Sequence, residues 1–377
     1  MSFRITTNGS MRLYKSNLMK SYNKLTSAGE KVMTNRKFNS YAEDPASASQ
    51  AFQMRRTLWL TESQLTNNNA VSNTYDVAWK AIDKVQNDLG YQLGKVSDLR
   101  GLNGPTGSGR QPLGQTLLST AESMVQTMNS KYGDRFVFAG ADGLNVPLSW
   151  SEDGQMLYRG IPVNVHAAGQ LDENGNDLGE QVVMVDGKPL KDVNGNEIKE
   201  KDAYNMLKAM SEETTYVDLG MGLAERNGTV VQTSAFNSAL SGLNYLNYGM
   251  DEDGDPKNLV MLTKKLGEIF SNCDPDSGAF VPASDEDVAN RLTDKLEAAL
   301  SDLTVEYVAL DTEATFLKTN TERLTSTKDT LNEQITQIED MEGADAITSF
   351  AWANYCYNAA LKIGNSILSQ SLIDYMQ

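Results

Sequence analysis

Residues 288–342 read VANRLTDKLEAALSDLTVEYVALDTEATFLKTNTERLTSTKDTLNEQITQIEDME, and this stretch decides the architecture. Leu296, Leu303, Leu310, Leu317, Leu324, Leu331 and Ile338 recur at intervals of seven. Leu292, Ala299, Tyr307, Ala314, Thr321 and Ile335 fill the three-or-four spacing between them. Neither Pro nor Gly interrupts the run, and Gly343 reads as its C-terminal stop. The pattern predicts one long helix, with the seven-spaced residues forming a coiled-coil rod seam. Glu306 and Glu313 beside the seam predict a partner surface of mixed polarity.

Working outward, a matching segment lies early in the chain. Asp44 followed by Pro45 reads as an N-cap and first helical residue, and no further Pro appears before Pro105. Within it Val71, Tyr75, Ala78, Ile82, Val85, Leu89, Leu93, Val96 and Leu99 keep helical spacing. Each helix is about 55 residues, or ~80 Å at 1.5 Å per residue, and the two most simply pair antiparallel. A shorter helix is expected over 112–131, with Leu117, Ala121, Met124 and Met128 inward.

Both ends of the chain are amphipathic. Met11, Tyr14, Leu18, Tyr22 and Leu25 share a helical face, and Gly29 is expected to break the run. Phe350, Ala353, Tyr357, Ala360, Ile367, Leu368, Leu372 and Tyr375 keep helical spacing at the other end. Such helices have little core of their own and are marginal in isolation. Contacts with neighbouring copies are the expected source of the missing burial. Met11, Tyr14, Leu18, Tyr22, Leu25, Tyr357, Ile367, Leu368, Leu372 and Tyr375 are therefore the candidate assembly interface, with packing back on the rod as the alternative.

Between the long helices, over roughly 136–284, the texture changes. β-prone runs at Arg135–Phe138, Pro162–Val165 and Gln181–Val185 alternate with the turn pairs Asp153-Gly154, Asn174-Gly175, Asp186-Gly187 and Asn194-Gly195. The fold class expected is thus mostly α with an inserted α+β or β-rich domain. The expected division is 1–44 and 346–377 for terminal assembly helices, 45–135 and 285–345 for the rod, and 136–284 for the insert.

Composition excludes several functions. The chain has 377 residues with 33 Lys and Arg against 50 Asp and Glu, so its net charge of −17 argues against binding a nucleic-acid backbone. The charge is uneven, +7 over residues 1–60 and −17 over 201–377, which would let the basic start attract the acidic end. Two cysteines, Cys273 and Cys356, make no disulfide framework or zinc pattern, and the single His166 excludes most histidine-based hydrolysis. No apolar run approaches the ~18 residues of a membrane span, and the start lacks the apolar core of a cleavable signal. That suits a cytoplasmic protein, or one exported by a route that reads no such signal.

Three local patterns invite chemistry and fail. Gly104 to Gly109 has the spacing of a phosphate loop, but Arg110 and Gln111 follow where Lys and Ser or Thr are needed, so a flexible connection is expected. Asp172, Asn174 and Asn176, and likewise Asp251, Asp253 and Asp255, begin like calcium loops. Their sixth residues are Asp177 and Pro256 and their twelfth Val183 and Leu262, which makes solvated turns the expectation. His166 has no partner of metal-binding type nearby in sequence and reads as structural. No cofactor, metal or catalytic residue is expected, and no enzyme.

The residues that carry a resemblance are at the two ends and in one internal stretch. Leu25-Thr26-Ser27-Ala28-Gly29 followed by Ala42-Glu43-Asp44-Pro45-Ala46 resembles the start of the flagellin superfamily, with an extra residue before Gly29 and a longer connection over Lys31–Tyr41. Asn129 to Gly140, reading NSKYGDRFVFAG, with Val146-Pro147-Leu148 and Tyr158-Arg159-Gly160, resembles the flagellin-like hook-associated proteins. Ser371-Leu372-Ile373-Asp374-Tyr375-Met376 resembles their ending, where filament flagellins finish differently. The likeness covers about 1–165 and 285–377.

The resemblance implies a flagellin-type rod and a structural protein of the bacterial flagellum, exported unfolded through the flagellar type III apparatus. It implies a homo-oligomeric ring at the hook–filament junction, between another hook-associated protein and flagellin, and an export chaperone that binds the C-terminal region. It implies terminal helices in the inner layer, the rod in the next and the insert outside, without nucleic-acid or membrane partners. Filament flagellin itself is the nearest alternative. An enzymatic or ligand-binding insert at 166–284 on the same scaffold is a third, and a secreted coiled-coil effector a fourth.

Overall fold

The computed structural model describes residues 7–100, 107–172 and 175–376, with the side chains of 7, 8, 10 and 366–376 outside that description. Among the described residues eight α-helices run in chain order: α1 Thr7–Thr34, α2 Pro45–Leu99, α3 Arg110–Met128, α4 Glu200–Ser211, α5 Gly242–Leu246, α6 Leu259–Ser271, α7 Asp285–Glu339 and α8 Gly343–Met376. The two long helices α2 and α7 are 55 residues each. Asp44 caps α2, its Oδ1 accepting from the Ser47 amide at 3.1 Å. Hydrogen bonds from the Ser47 hydroxyl and amide hold that carboxyl below its usual range. Asp285, Glu286 and Asp287 open α7 and suit the positive end of its dipole.

The chain forms two compact units whose boundaries fall within α2 and α7. One comprises Met1–Ser63 with Arg323–Gln377, the other Gln64–Glu322. In the second unit α2 and α7 run antiparallel: Gln86 Nε2 donates to Thr304 Oγ1 at 3.1 Å, and the Tyr307 hydroxyl to Asp83 Oδ1 at 3.4 Å. Leu296, Leu303, Leu310 and Leu317 are fully buried there against Tyr75, Ile82, Leu89 and Val96 in one continuous core. That core continues into Leu117, Met124 and Met128 of α3 and Phe138, Tyr158, Leu207 and Leu266 beyond it.

The β content is small, antiparallel and local. The strands are β1 Lys131–Tyr132, β2 Arg135–Phe136, β3 Leu148–Trp150, β4 Met156–Tyr158, β5 Ile161–Pro162, β6 Met184–Val185, β7 Lys188–Pro189, β8 Tyr216–Val217, β9 Glu225–Arg226, β10 Thr229–Val230 and β11 Phe236–Asn237. They make the pairs β1–β2, β6–β7, β9–β10 and β8–β11 and one three-stranded sheet, β3–β4–β5. The expected strands are longer than these, because Val137, Phe138, Val163, Val165 and Val183 fill the core from irregular backbone. Asp186-Gly187 joins β6 to β7 with positive φ at both residues, the hairpin its sequence predicts.

Ser151–Gln155, Asp172–Asn176, Asp192–Asn196 and Asp251–Asp255 are four loops with one hydrogen-bond pattern. In each, the first side-chain oxygen accepts from the fifth amide and the glycine amide bonds back to the first carbonyl. Glu173 and Asn174 of the second lie outside the described residues.

Three helix boundaries differ from expectation. Gly29 does not end α1, which continues to Thr34: glycine is only disfavoured inside a helix, and this one keeps helical backbone while facing the Phe350 ring. Gly343 is not a stop but opens α8, leaving only 340–342 as the connection. The third helix covers Arg110–Met128, not 112–131, with Pro112 tolerated in its first turn.

Candidate assembly surface

In the first unit α1 and α8 lie antiparallel against each other. Tyr14 abuts Gly364, the Tyr22 and Tyr357 rings are 5.9 Å apart, and Gly29 faces Phe350. Among the candidate interface residues, Met11, Tyr14, Leu18, Leu25 and Tyr357 are half-buried, while Tyr22 is exposed. The side chains of Ile367, Leu368, Leu372 and Tyr375 lie outside the described residues. The stripe read from the sequence as unsupported thus packs, in its described part, between the chain's own first and last helices. Their other faces remain open.

On those open faces Leu13, Met19, Ile347, Trp352, Tyr355 and Ile363 stand in solvent, Trp352 at 63% exposure and Tyr355 at 67%. Sequence periodicity missed these residues. The signal that could have found them is charge: residues 346–361 contain no charged side chain at all. A helix apolar all round is normally buried all round, whereas α8 is covered on one side. Arg12, Lys15, Lys20 and Lys24 line the exposed side of α1.

The turns that join these helices to the long ones are pinned by a shared carboxylate. Glu339 is buried, receives Arg55 Nε at 2.8 Å and a second bond from Arg55 Nη2, and has Arg36 Nη2 at 3.8 Å. The Arg55 hydrogen bond holds its carboxyl below the usual range. Lys37 N donates to Glu339 O at 2.7 Å and Met341 N to Asn35 O at 2.9 Å, so both turns meet backbone to backbone.

Of the seam residues, Leu296, Leu303, Leu310, Leu317 and Leu324 are at most 2% exposed. Leu331 and Ile338 are half-buried, and Ile335 is the better covered residue near that end.

The acidic loop 251–255 corrects the expectation of a solvated turn. Asp255 is fully buried and accepts from Lys265 Nζ at 2.8 Å, Arg291 Nε at 2.8 Å and Lys295 Nζ at 2.7 Å. Lys295 Nζ also reaches Asp251 Oδ2 at 2.6 Å and Asp253 Oδ2 at 2.8 Å. The ammonium sits among three carboxylates, so the cation in this cluster comes from α7. Burial alone would raise the Asp255 carboxyl, but its bonds to Arg291, Lys265 and Lys295 outweigh burial and hold it far below its usual value. Burial opposes and the three aspartates favour the charged Lys295, whose ammonium is held above its usual value.

The pH consequence follows from both shifts. A depressed carboxylate contributes stability fully present above about pH 4 and lost on acidification; a raised ammonium contributes below about pH 10.5 and is lost above it. Asp255→Asn is expected to cost about 2 kcal/mol at pH 7, less than a fully enclosed pair because the cations are partly solvated. Melting from pH 7 to pH 2 should then be less acid-sensitive than in the parent.

The failed phosphate loop and His166 each have a structural part. Arg110 is fully buried and donates to Leu99 O through Nε at 3.3 Å and Nη2 at 3.1 Å, and to Gly278 O through Nη1 at 2.6 Å. It caps the C-terminus of α2 and stacks 4.4 Å from the Phe280 ring, while 104–106 lie outside the described residues. Glu200, first residue of α4, accepts from the His166 amide at 2.8 Å and approaches its Nδ1 at 2.5 Å. Among the described residues no helix is long and apolar enough to cross a membrane.

No family model and no curated protein matches the sequence. Among solved structures, the chain is similar to one described as a flagellar hook-associated protein from Vibrio parahaemolyticus, at 13% identity and a TM-score of 0.49, covering 79% of this chain and 100% of that one. It is similar to Xanthomonas campestris FlgL at 13% identity and 0.44, covering 75% and 99%, and to Bacillus cereus FlgL at 14% and 0.40, also covering 75% and 99%.

Proposed function

We propose that this chain is a structural protein of the bacterial flagellum, a FlgL-type hook-associated protein that forms the hook–filament junction. One side of a ring of identical subunits would meet another hook-associated protein, the other the first flagellin subunits. The observation that carries the reading is the α1–α8 pair, in which α8 is covered on one face by α1 and leaves Ile347, Trp352, Tyr355 and Ile363 open in a stretch without charge, while basic residues line the open side of α1. The motifs at 25–46, 129–160 and 371–376 point the same way.

In this reading 1–44 and 346–377 form the inner layer, 45–135 and 285–345 the coiled-coil rod, and 136–284 the outer insert. The chain leaves the cell through the flagellar export apparatus without a cleaved signal, its C-terminal region held by an export chaperone. Neighbouring copies then bury the open apolar faces, and ordering is coupled to assembly.

Trp352→Asp should leave the monomer's stability within about 0.5 kcal/mol, since the side chain is exposed, yet reduce incorporation at the junction severalfold. Gold-labelled antibody against the 136–284 segment locates the protein directly. Label confined to the distal end of the hook supports the junction role; label along the whole filament would make the chain a flagellin instead.

A further inference from the structure

In the second unit Asn68, Tyr75, Ile82, Leu89 and Val96 form a buried stripe on α2 at intervals of seven. Asn68 alone among these five carries an amide, and it is fully buried. Leu296, Leu303, Leu310 and Leu317 repeat at the same interval on α7. A seam of this kind is degenerate, because a slip of one repeat, ~10 Å along the helix, sets leucine against the same apolar stripe again.

The amides break that degeneracy. Asn68 Nδ2 donates to Leu317 O at 2.9 Å and Thr321 Oγ1 at 2.7 Å. Asn320 Nδ2 donates to Asn68 Oδ1 at 2.8 Å and to Leu219 O at 3.0 Å. Leu219 is itself buried and lies between β8 and β9, outside both long helices. The residue before it, Asp218, accepts from Gln64 Nε2 at Oδ2 (3.1 Å) and from Asn67 Nδ2 at its carbonyl (3.4 Å).

The geometry points to a register latch: Asn68 and Asn320 hold α2 and α7 at one of several apolar-equivalent alignments and tie that alignment to the docking of segment 216–220. A slip of seven residues either way carries Asn68 away from Asn320 and Thr321 and carries Asn320 ~10 Å from Leu219 O. The buried amides then face apolar neighbours, which is costly. A buried Asn in a helical seam is a recognised way of setting register at some expense in stability. Here it also fastens a segment that neither long helix contains.

The test uses the full chain in a Cys356→Ser background with pairs of introduced cysteines. Gln86→Cys with Thr304→Cys reports the observed register, since those side chains touch; Gln86→Cys with Glu297→Cys or Asp311→Cys reports a slip of one repeat. With Asn68 and Asn320 intact, only the first pair should cross-link. In the double variant Asn68→Leu/Asn320→Leu the melting temperature should hold or rise, a slipped pair should cross-link about tenfold more than in the parent, and amides 216–220 should exchange about tenfold faster. Cross-linking confined to Gln86→Cys/Thr304→Cys, or unchanged exchange at 216–220, overturns the latch. Asn320→Ala guards against failure of the double variant to fold: it must accelerate exchange at 216–220, and unchanged protection overturns the proposal equally.

Discussion

Leu317→Asp is expected to destabilise the chain by about 4 kcal/mol or more. Leu317 has no exposed surface, packs in the α2–α7 seam, and presents its carbonyl to Asn68. Truncating a buried leucine alone costs about 2–5 kcal/mol, and a carboxylate placed there must also be desolvated without a cation to meet it. Urea unfolding followed by helical circular dichroism measures the loss. Val308→Asp is the matched control on the same helix, 56% exposed, and should change stability by no more than about 0.5 kcal/mol. Equal losses in the two variants would mean that the seven-residue repeat is not the buried stripe.

Gly114→Val should cost about 3 kcal/mol. At this residue α3 crosses α6 with backbones in contact. A Cβ at Gly114 would stand 2.6 Å from Ser271 Oγ and 2.7 Å from Gly267 O, and would also meet the Ser271 amide. From the other side, a Cβ at Gly267 would lie 3.0 Å from Gly114 O. Two helix backbones would have to part, and overpacking of this kind outweighs the gain of about 0.5 kcal/mol from replacing glycine by valine in a helix. The contrast is Gly94 in α2, where an added Cβ would meet no neighbouring element within 4 Å; Gly94→Ala should stabilise by about 0.5–1 kcal/mol. Thermal melts of the two variants in parallel should therefore move in opposite directions.

What could be read from the sequence was whatever repeats along one helix. The leucines from Leu296 to Leu324 announced their burial because each meets the same kind of neighbour every seven residues. The Asp44–Pro45 start was equally plain, since a cap and its first turn are contiguous. The rest depends on residues far apart in the chain. Lys295 turns an apparent calcium loop into an ion-pair cluster, and nothing within 251–262 could reveal that its cation comes from α7. Gly114 and Gly267 are ordinary helix residues until the crossing makes them indispensable. Arg110 looked like a failed phosphate loop because its acceptors, Leu99 O and Gly278 O, come from elements that flank it on both sides.

The candidate assembly surface was half legible for a similar reason. Met11, Tyr14, Leu18 and Tyr357 form the stripes that periodicity selects, and those stripes meet each other. The opposite side of α8, with Ile347, Trp352, Tyr355 and Ile363, was hidden because an all-round apolar helix has no single preferred face. Composition, not period, marks it.

Amide hydrogen exchange across 9–34 and 343–365, compared between the verified monomer and the assembled junction, decides whether the terminal helices gain their stability from neighbouring copies. Protection of the α1–α8 pair should be weak in the monomer and rise steeply when neighbouring copies cover Leu13, Trp352, Tyr355 and Ile363. Strong protection in the monomer that assembly leaves unchanged would contradict that dependence.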